Sequence, residues 1–296
     1  MKVVNRYGWI VAIGVLLSGF LVSCDEESNA IVNEKKQQND AEIRAYLLKE
    51  GITAQRTTEG LYYRVVSTGT SKQKVTIGDE IKATYIARRL DGVIVDSSEI
   101  SLNKPVSAIF GISRLPYLSD QAMQIVFGTL LAEGDSATLL LPSYLSQGAT
   151  GTLLFPAYSP VRIDIRVRSI STETEQMDAF VRDNNILITE TTAEGLRFGK
   201  TVSYPDSAQV VDGSVLSVKY TGRRMDYTIF DSGTINVTIN STSLVRGFTQ
   251  GLLKLRVGEK ANLLFPSVLG YGNQGSQSIP GFSPLYFEVE ILKKSN

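Results

Sequence analysis

Two copies of one sequence unit make up most of this chain, and this repetition constrains its fold more than any other feature. Tyr85 and Asp96 of the first copy recur as Tyr220 and Asp231, a shift of 135 positions without a gap. Further along, the shift becomes 124 positions, so the first copy is longer by 11 residues. Glycines and prolines recur at the smaller shift in the pairs Gly134 and Gly258, Pro142 and Pro266, Gly148 and Gly272, and Pro156 and Pro280. Because Gly and Pro set special backbone angles, we infer repeated turns and a tandem duplication.

The composition excludes several classes of chemistry. The 296 residues suffice for about two domains. Histidine is absent and the one cysteine is Cys24, which excludes His-based triads, His-containing metal sites and an intramolecular disulfide. Thirty basic residues balance thirty acidic ones, so no nucleic-acid surface is indicated. We therefore expect no metal, no cofactor and no nucleic-acid partner, and chemistry that relies on carboxylates, hydroxyls, amides or shape.

The N-terminus has the pattern of an export signal. Lys2 and Arg6 precede an apolar run over Trp9–Val22, which is shorter than the ~20 residues of a membrane-spanning helix. The run ends in Leu21-Val22-Ser23-Cys24, which resembles a bacterial lipoprotein signal, in which the cysteine is lipidated. The alternative is an ordinary signal peptide with an incidental cysteine. We predict a signal over 1–24, lipidation at Cys24 and a flexible tether over 25–40, which would place the protein in the bacterial cell envelope, facing the periplasm or the cell surface.

The rest of the chain predicts two α+β domains, over 41–171 and 172–296. Each copy opens with a short helix, and in the second Thr172 and Glu175 form a candidate capping box. Strand-like segments follow, and the helical spacing around Leu244–Leu255 indicates one short helix across a sheet. The last segment alternates apolar Phe287, Val289 and Ile291 with glutamates, the pattern of a half-buried strand.

One motif has a competing interpretation. The segment 270–275 reads Gly-Tyr-Gly-Asn-Gln-Gly and matches G-x-G-x-x-G. A dinucleotide site requires a helix to begin there, whereas Ile279-Pro280 and a predicted strand follow. The pattern therefore favours a turn-rich loop.

The second copy contains an ordered series of short motifs. They are Val218-Lys219-Tyr220-Thr221-Gly222, Phe230-Asp231-Ser232, Leu244-Val245-Arg246-Gly247-Phe248, Val257-Gly258-Glu259-Lys260, Tyr271-Gly272, Ile279-Pro280 and Phe287-Glu288-Val289-Glu290-Ile291. In their order and spacing these motifs resemble the FKBP-type peptidyl-prolyl isomerases, and the resemblance covers about 190–296 well and 55–170 weakly. The family fold is a bent antiparallel sheet wrapped around one short helix, with an apolar pocket between them.

The resemblance also implies a site in the second copy. Asp231 would be the acidic group at the pocket rim, and Tyr271 the hydroxyl that holds the substrate carbonyl. The pocket lining would consist of Tyr220, Phe230, Val245, Phe248, Ile279 and Phe287, with Phe248 at the place of the family's usual tryptophan. Asp231 could instead form a turn, Tyr271 could anchor a loop, and the other positions could be plain core.

Both copies depart from the family pattern. Only 14 positions separate Asp231 from Val245, and the strand expected to supply aromatic residues to one wall offers Ile235, Val237 and Ile239. In the first copy, Val95 replaces Phe230 and Gln147 replaces Tyr271, and Gln121 and Gln124 fall near the expected pocket floor. We predict a first domain that is FKBP-like in fold and catalytically inactive.

Two principal functional hypotheses remain open. The first is a lipid-anchored prolyl isomerase that acts on proline-containing polypeptides through its C-terminal domain. The second is a non-catalytic envelope lipoprotein that uses its domains to bind polypeptide or other envelope components. A structural spacer is a third reading, which the apolar residues of the Tyr271–Pro280 loop disfavour.

Overall fold

The computed structural model describes residues 31–71, 73–98, 104–240 and 244–295. The predicted signal over 1–24, including Cys24, lies outside these residues, as do positions 25–30. The described chain forms two antiparallel sheets accompanied by short helices, in agreement with the α+β prediction. None of the helices described is long and apolar enough to cross a membrane.

The N-terminal unit opens with a helix and builds a seven-stranded sheet. Its elements are α1 (31–49), β1 (Gln55–Arg56), β2 (Tyr62–Ser67), β3 (Glu80–Arg88), β4 (Ile94–Ser97), β5 (Val106–Ile109), α2 (Asp120–Ile125) with a π-helical turn at Val126–Leu130, β6 (Ser136–Leu141), a 3₁₀ turn at Ser143–Leu145, and β7 (Val161–Ser171).

The C-terminal unit follows without a linker and has six strands. Its elements are α3 (Glu173–Asp183), β8 (Glu190–Thr191), β9 (Arg197–Val202), β10 (Val215–Arg223), β11 (Ile229–Thr238), α4 (Arg246–Leu252), β12 (Lys260–Phe265), a 3₁₀ turn at Ser267–Leu269, and β13 (Leu285–Ser295).

The two sheets have the same strand order. The first runs β1-β2-β6-β7-β3-β4, with β5 also paired to β3, and the second runs β8-β9-β12-β13-β10-β11. Each contains a register shift at the repeated position, between Lys82 and Ala83 in β3 and between Ser217 and Val218 in β10. Such irregularities bend a strand, so both sheets curve at the same place.

A short helix lies against the curved sheet of the C-terminal unit. Leu216, Val218, Val289 and Ile291 turn their side chains into the core, as the alternation predicts. The helix approaches the sheet closely because it carries glycine where it crosses. A Cβ atom added to Gly247 would lie 2.4 Å from the Phe265 ring, and one added to Gly251 would lie 2.5 Å from Leu263.

Residues 31–40 belong to helix α1, which corrects the prediction of a flexible tether there. The side chain of Asn39 is fully buried. Its oxygen accepts a hydrogen bond from the backbone N–H of Ser143 at 2.8 Å, and its amide donates to the carbonyl of Tyr158 at 2.9 Å. These contacts reach more than 100 positions along the chain, beyond what local composition reveals.

Helix α3 confirms the predicted capping box. The Thr172 hydroxyl accepts from the N–H of Glu175 at 3.3 Å, and the Glu175 carboxylate accepts from the N–H of Thr172 at 2.8 Å. The helix buries Met177 and Phe180 in a small cluster with Tyr286 of β13. It therefore covers the outer face of the second sheet and leaves the inner face to α4.

Candidate functional site

The aromatic side chains of the C-terminal unit meet between the sheet and α4. Phe287 of β13 lies at the centre, with ring centroids 5.0 Å from Phe248 and 5.5 Å from Phe230. Tyr220 lies 6.3 Å away, and Phe265 stacks on it at 5.7 Å. We call these five residues the aromatic basin. Most of these contacts are edge-on or tilted, as aromatic pairs prefer.

The structure brings together the residues that the resemblance implied, and it adds one. Phe265 on β12 belongs to the basin but was absent from the predicted lining. In the sequence it ends an apolar run, Leu263-Leu264-Phe265, which is indistinguishable from an ordinary core strand. Only the pairing of Leu263 with Phe287 across β12 and β13 places the end of this run beneath the basin.

Burial decreases from the floor of the basin to its rim. Phe248 and Phe287 are buried, as is Ile279 of the loop that follows β12. Tyr220, Phe230 and Val245 are half-buried, and Asp231 is exposed. Tyr271 is 38% exposed, so the two residues predicted to act on a substrate both lie at the solvent edge. The arrangement is an apolar floor beneath a polar rim, as in ligand sites generally.

The rim contains a tyrosine–aspartate pair. The hydroxyl of Tyr220 donates a hydrogen bond to Asp231 Oδ2 at 2.7 Å. Burial and this hydrogen bond raise the pKa of Tyr220 to about 12, so the phenol stays protonated at neutral pH. This contact orients the Asp231 carboxylate, and Asp231 lies within β11 rather than in a turn.

Tyr271 offers a second hydroxyl at the rim. Burial and then the charge of Asp231 raise the pKa of Tyr271, so it too remains a donor at neutral pH. Within the described part of the chain, no group accepts a hydrogen bond from this hydroxyl. It is therefore available to a ligand that lies over the basin.

The loop that carries Tyr271 is held by its own backbone. Gly272 N–H donates to the carbonyl of Ser267 at 2.8 Å, and Phe282 N–H donates to the carbonyl of Gly272 at 2.9 Å. A Cβ at Gly275, whose φ is +70°, would lie 2.2 Å from the carbonyl oxygen of Ile279. The glycines of the G-x-G-x-x-G match thus permit loop packing, and no helix starts here, so the geometry does not fit a dinucleotide site.

The wall contributed by β11 is aliphatic. This strand extends to Thr238 and stays paired with β10 along its length. Ile235 and Val237 pack half-buried against the core, and Ile239 is buried. The connection from β11 to α4 includes 241–243, which lie outside the described residues.

In the N-terminal unit only the tyrosine–aspartate pair of the rim is kept. Tyr85 donates to Asp96 Oδ2 at 2.5 Å, the counterpart of the Tyr220–Asp231 bond. The predicted floor residues Gln121 and Gln124 are instead exposed on α2, which corrects their assignment. Phe248 is the third residue after Val245, the N-cap of α4, and the third residue after Ser119, the N-cap of α2, is Ala122. Ala122 therefore occupies the position of Phe248 in the N-terminal unit.

The described residues include no group of three or more His, Cys, Asp or Glu side chains arranged to hold a metal ion. The groups that the basin and its rim offer to a ligand are apolar side chains, the hydroxyls of Tyr220 and Tyr271, and the carboxylate of Asp231.

Comparison with known proteins places this unit in a family. Residues 206–292 match the family described as FKBP-type peptidyl-prolyl cis-trans isomerase. Peptidyl-prolyl cis-trans isomerase FKBP2 from Homo sapiens is 42% identical over 87 residues, which cover 27% of this chain and 61% of that protein. The chain thus spans about three-fifths of the length of this relative.

A second relative is covered more fully. FK506-binding protein 2 from Debaryomyces hansenii is 34% identical over 108 residues, or 34% of this chain and 80% of that protein. A crystal structure of the three FKBP domains of wheat FKBP73 aligns with 82% of this chain and 99% of that chain, at 19% identity and a TM-score of 0.38. On the family match, which includes the whole basin and its rim, and on the second relative, the chain belongs to the FKBP-type peptidyl-prolyl cis-trans isomerase family.

Proposed function

We propose that the chain is a prolyl isomerase whose activity resides in the C-terminal unit. The observation that carries this proposal is the Tyr220–Asp231 hydrogen bond, set at the edge of an aromatic floor. The substrates are polypeptides that expose an X–Pro bond, the class that the family name implies.

The chemistry requires a shaped, dry surface and no covalent intermediate. Amide resonance imposes a barrier of about 18–20 kcal/mol on rotation of a peptide bond. The prolyl ring enters the basin over Phe248 and Phe287, where water is excluded. The Tyr271 hydroxyl donates to the substrate carbonyl, and Asp231 faces the twisting amide. Because the twisted amide loses its resonance, a water-poor site that binds this form more tightly than the planar ones lowers the barrier.

The decisive experiment is a prolyl-isomerisation assay on the full chain with a peptide that contains one Leu–Pro bond. Tyr271→Phe and Asp231→Ala should each lower kcat/KM. Tyr204→Phe and Asp206→Ala are matched controls, since both residues are exposed and lie outside the basin. Turnover that the two basin substitutions leave untouched would overturn the site assignment.

A non-catalytic polypeptide-binding role is the second candidate. The aliphatic wall at Ile235 and Val237 favours it, because this wall offers no ring face to a prolyl substrate. Saturable binding of an unfolded polypeptide without acceleration of Leu–Pro isomerisation would support this role over the first.

We further propose that both units are FKBP-like domains of a lipoprotein anchored in the bacterial cell envelope through Cys24, where it assists the folding of exported proteins. The identical strand order of the two sheets supports the tandem arrangement. The anchor is supported by the Leu21-Val22-Ser23-Cys24 motif. In cells supplied with labelled fatty acid, the wild-type protein should incorporate label and sediment with membranes, and Cys24→Ser should do neither. Label retained by Cys24→Ser would refute the assignment.

A further inference from the structure

The loop that carries Tyr271 ends against the N-terminal unit. The ring of Phe282 lies so close to Gly78 that a Cβ atom added to Gly78 would be 2.7 Å from the ring carbon Cδ1. Beside this contact is a cleft of about 200 Å³, lined by residues 107–109 of β5 on one side and by Pro280 on the other. The end of the loop therefore lies at the boundary between the two units.

The N-terminal side of this contact is a turn held by hydrogen bonds within its own unit. Gly78 has a φ of +97°, which favours glycine, and its N–H donates to the carbonyl of Phe110 at 3.0 Å. The buried carboxylate of Asp79 accepts from the backbone N–H of Thr76 at 2.7 Å and from the Thr76 hydroxyl at 2.9 Å. The turn thus presents a fixed surface to the Phe282 ring.

The repeat shows that this contact is made by only one of the two turns. Gly213, the counterpart of Gly78 at the shift of 135 positions, is exposed, and a Cβ added to it would meet nothing within 4 Å. Gly78 is buried, and the atoms nearest to its added Cβ all belong to Phe282. The loop of the C-terminal unit therefore covers the turn of the N-terminal unit.

The contact is linked to Tyr271 through the backbone of the loop. The N–H of Phe282 donates to the carbonyl of Gly272 at 2.9 Å, and Gly272 directly follows Tyr271. The ring of Phe282 and the rim tyrosine are therefore separated by one hydrogen bond and one peptide unit. A restraint on the ring is passed to the residue next to Tyr271.

The first copy keeps the same turn at the end of its loop but supports it from within the unit. Tyr158, the counterpart of Phe282, has a φ of +58° against +56°, and its N–H donates to the carbonyl of Gly148 at 2.9 Å. The Tyr158 carbonyl accepts from the side chain of Asn39 in α1 of the same unit. The turn conformation thus belongs to the repeat, whereas the support that Phe282 finds on Gly78 comes from the other unit.

We propose that Phe282 is a positioning residue for the basin and that the N-terminal unit supplies its support. Packed on Gly78, the ring holds the end of the loop, and the hydrogen bond to Gly272 extends this restraint to Tyr271. A hydroxyl that is held in place before a substrate arrives costs less conformational entropy on binding than a mobile one. The kinetic part of this inference rests on the proposed prolyl isomerase activity, whereas the restraint on the loop does not.

Hydrogen exchange of the full chain, followed by mass spectrometry, tests the restraint directly. Gly78→Ala should push the ring aside and Phe282→Ala should remove it, and each should speed amide exchange within 272–282 about three- to tenfold. Gly92→Ala is the matched control, because Gly92 lies in the same unit with a φ of +94° and nothing within 4 Å of an added Cβ. It introduces the same backbone strain without touching the loop and should leave loop exchange unchanged.

A double variant isolates the contact. In the Phe282→Ala background, Gly78→Ala should raise loop exchange no more than Gly92→Ala does, because no ring remains to be displaced. Gly78→Ala also leaves the sequence of the C-terminal unit intact, so an effect of this substitution on the loop has to pass through the contact between the units.

Isomerisation of a peptide with one Leu–Pro bond measures the functional consequence. Gly78→Ala and Phe282→Ala should each lower kcat/KM about three- to tenfold through a less ordered Tyr271. Phe282→Tyr keeps the ring and introduces the residue type found in the first copy, so it should retain both the wild-type loop exchange and the wild-type kcat/KM.

Loop exchange that Gly78→Ala and Phe282→Ala raise no more than Gly92→Ala does would contradict the inference. Faster loop exchange with unchanged kcat/KM would show that the contact does not position Tyr271, and would contradict it as well. A wild type without turnover would refute the proposed activity, and the inference would then stand or fall on loop exchange alone.

Discussion

The carboxylate of Glu173, on the first turn of α3, holds both polar groups of Ser267, which lies 94 positions further along the chain. Its Oε2 accepts from the Ser267 backbone N–H at 2.6 Å, and its Oε1 accepts from the Ser267 hydroxyl at 2.7 Å. Ser267 is buried and opens the 3₁₀ turn that leads to Tyr271. In the N-terminal unit, the side-chain oxygen of Asn39 accepts from the backbone N–H of Ser143, the counterpart of the first of these two bonds. Each unit thus uses its opening helix to fix the start of its long loop.

Glu173→Ala should lower the free energy of unfolding by about 1–3 kcal/mol, because it leaves a buried N–H without an acceptor. Glu173→Gln keeps an oxygen acceptor, so its free energy of unfolding should decrease less. Urea unfolding monitored by circular dichroism measures both. Equal stability of Glu173→Ala and the wild type would contradict this role for Glu173.

Stability should fall in acid partly through Glu259, which is fully buried. Burial alone would raise the pKa of Glu259, but hydrogen bonds from Lys200 and from the N–H groups of Tyr204 and Arg256 outweigh it and hold the pKa below its usual value. The unfolded chain therefore binds this proton more readily. The stabilisation is present above the unfolded pKa of Glu259 and is lost as pH falls through the folded one.

Glu259→Gln should accordingly flatten the decrease in unfolding free energy between about pH 7 and pH 3, besides destabilising the protein at neutral pH. Denaturant titrations across this range measure the slope. Glu288→Gln, a change at an exposed position of β13, serves as the control and should retain the wild-type slope. An unchanged slope for Glu259→Gln would show that other carboxylates account for the acid sensitivity.

Gly247→Ala should destabilise the protein by about 1–3 kcal/mol through overpacking, because the new methyl group would meet the Phe265 ring at 2.4 Å. Gly128→Ala is the matched substitution in the N-terminal unit. At Gly128 the nearest atoms lie 3.8 Å from an added Cβ, so the expected change in stability is small. Thermal unfolding distinguishes the two, and similar melting temperatures for both variants would argue against the close helix–sheet contact.

Tyr220→Phe should reduce kcat/KM for Leu–Pro isomerisation about three- to tenfold, because Asp231 loses the donor that orients it. If the two residues act as a pair, the double substitution Tyr220→Phe with Asp231→Ala should cost less than the sum of the single effects. Strict additivity would show that Tyr220 and Asp231 contribute independently.

Local patterns predicted the regular elements well. The segment Glu80–Arg88 alternates in a way that predicts a strand, and β3 has these bounds. The capping box at Thr172 depends on groups three positions apart, and it forms as predicted. The tether prediction is wrong over 31–40, where α1 lies, because the segment has the polar composition of a tether and its buried residue, Asn39, depends on partners more than 100 positions away.

Within the candidate site, the resemblance supplied the residues and the structure supplied their relations. The structure shows that Phe230, Phe248 and Phe287 form one cluster and that Phe265 belongs to it. It also shows that Asp231 accepts a hydrogen bond from Tyr220. The prediction that Gln121 and Gln124 lie near the pocket floor is wrong, because the 11 extra residues of the first copy obscure which residues of α2 face inward.

The sequence by itself determined the repetition, several of the regular elements and the absence of histidine chemistry, because periodicity, turn residues and composition can be recognised from neighbouring positions alone. Tertiary structure alone decided that Phe265 joins the basin and that Tyr117 stands beside Phe155 in the N-terminal unit. The place of Phe265 depends on the register between two strands, and the place of Tyr117 depends on the path of the segment that is longer in the first copy. Register and path are both set by packing between residues that are distant in the chain.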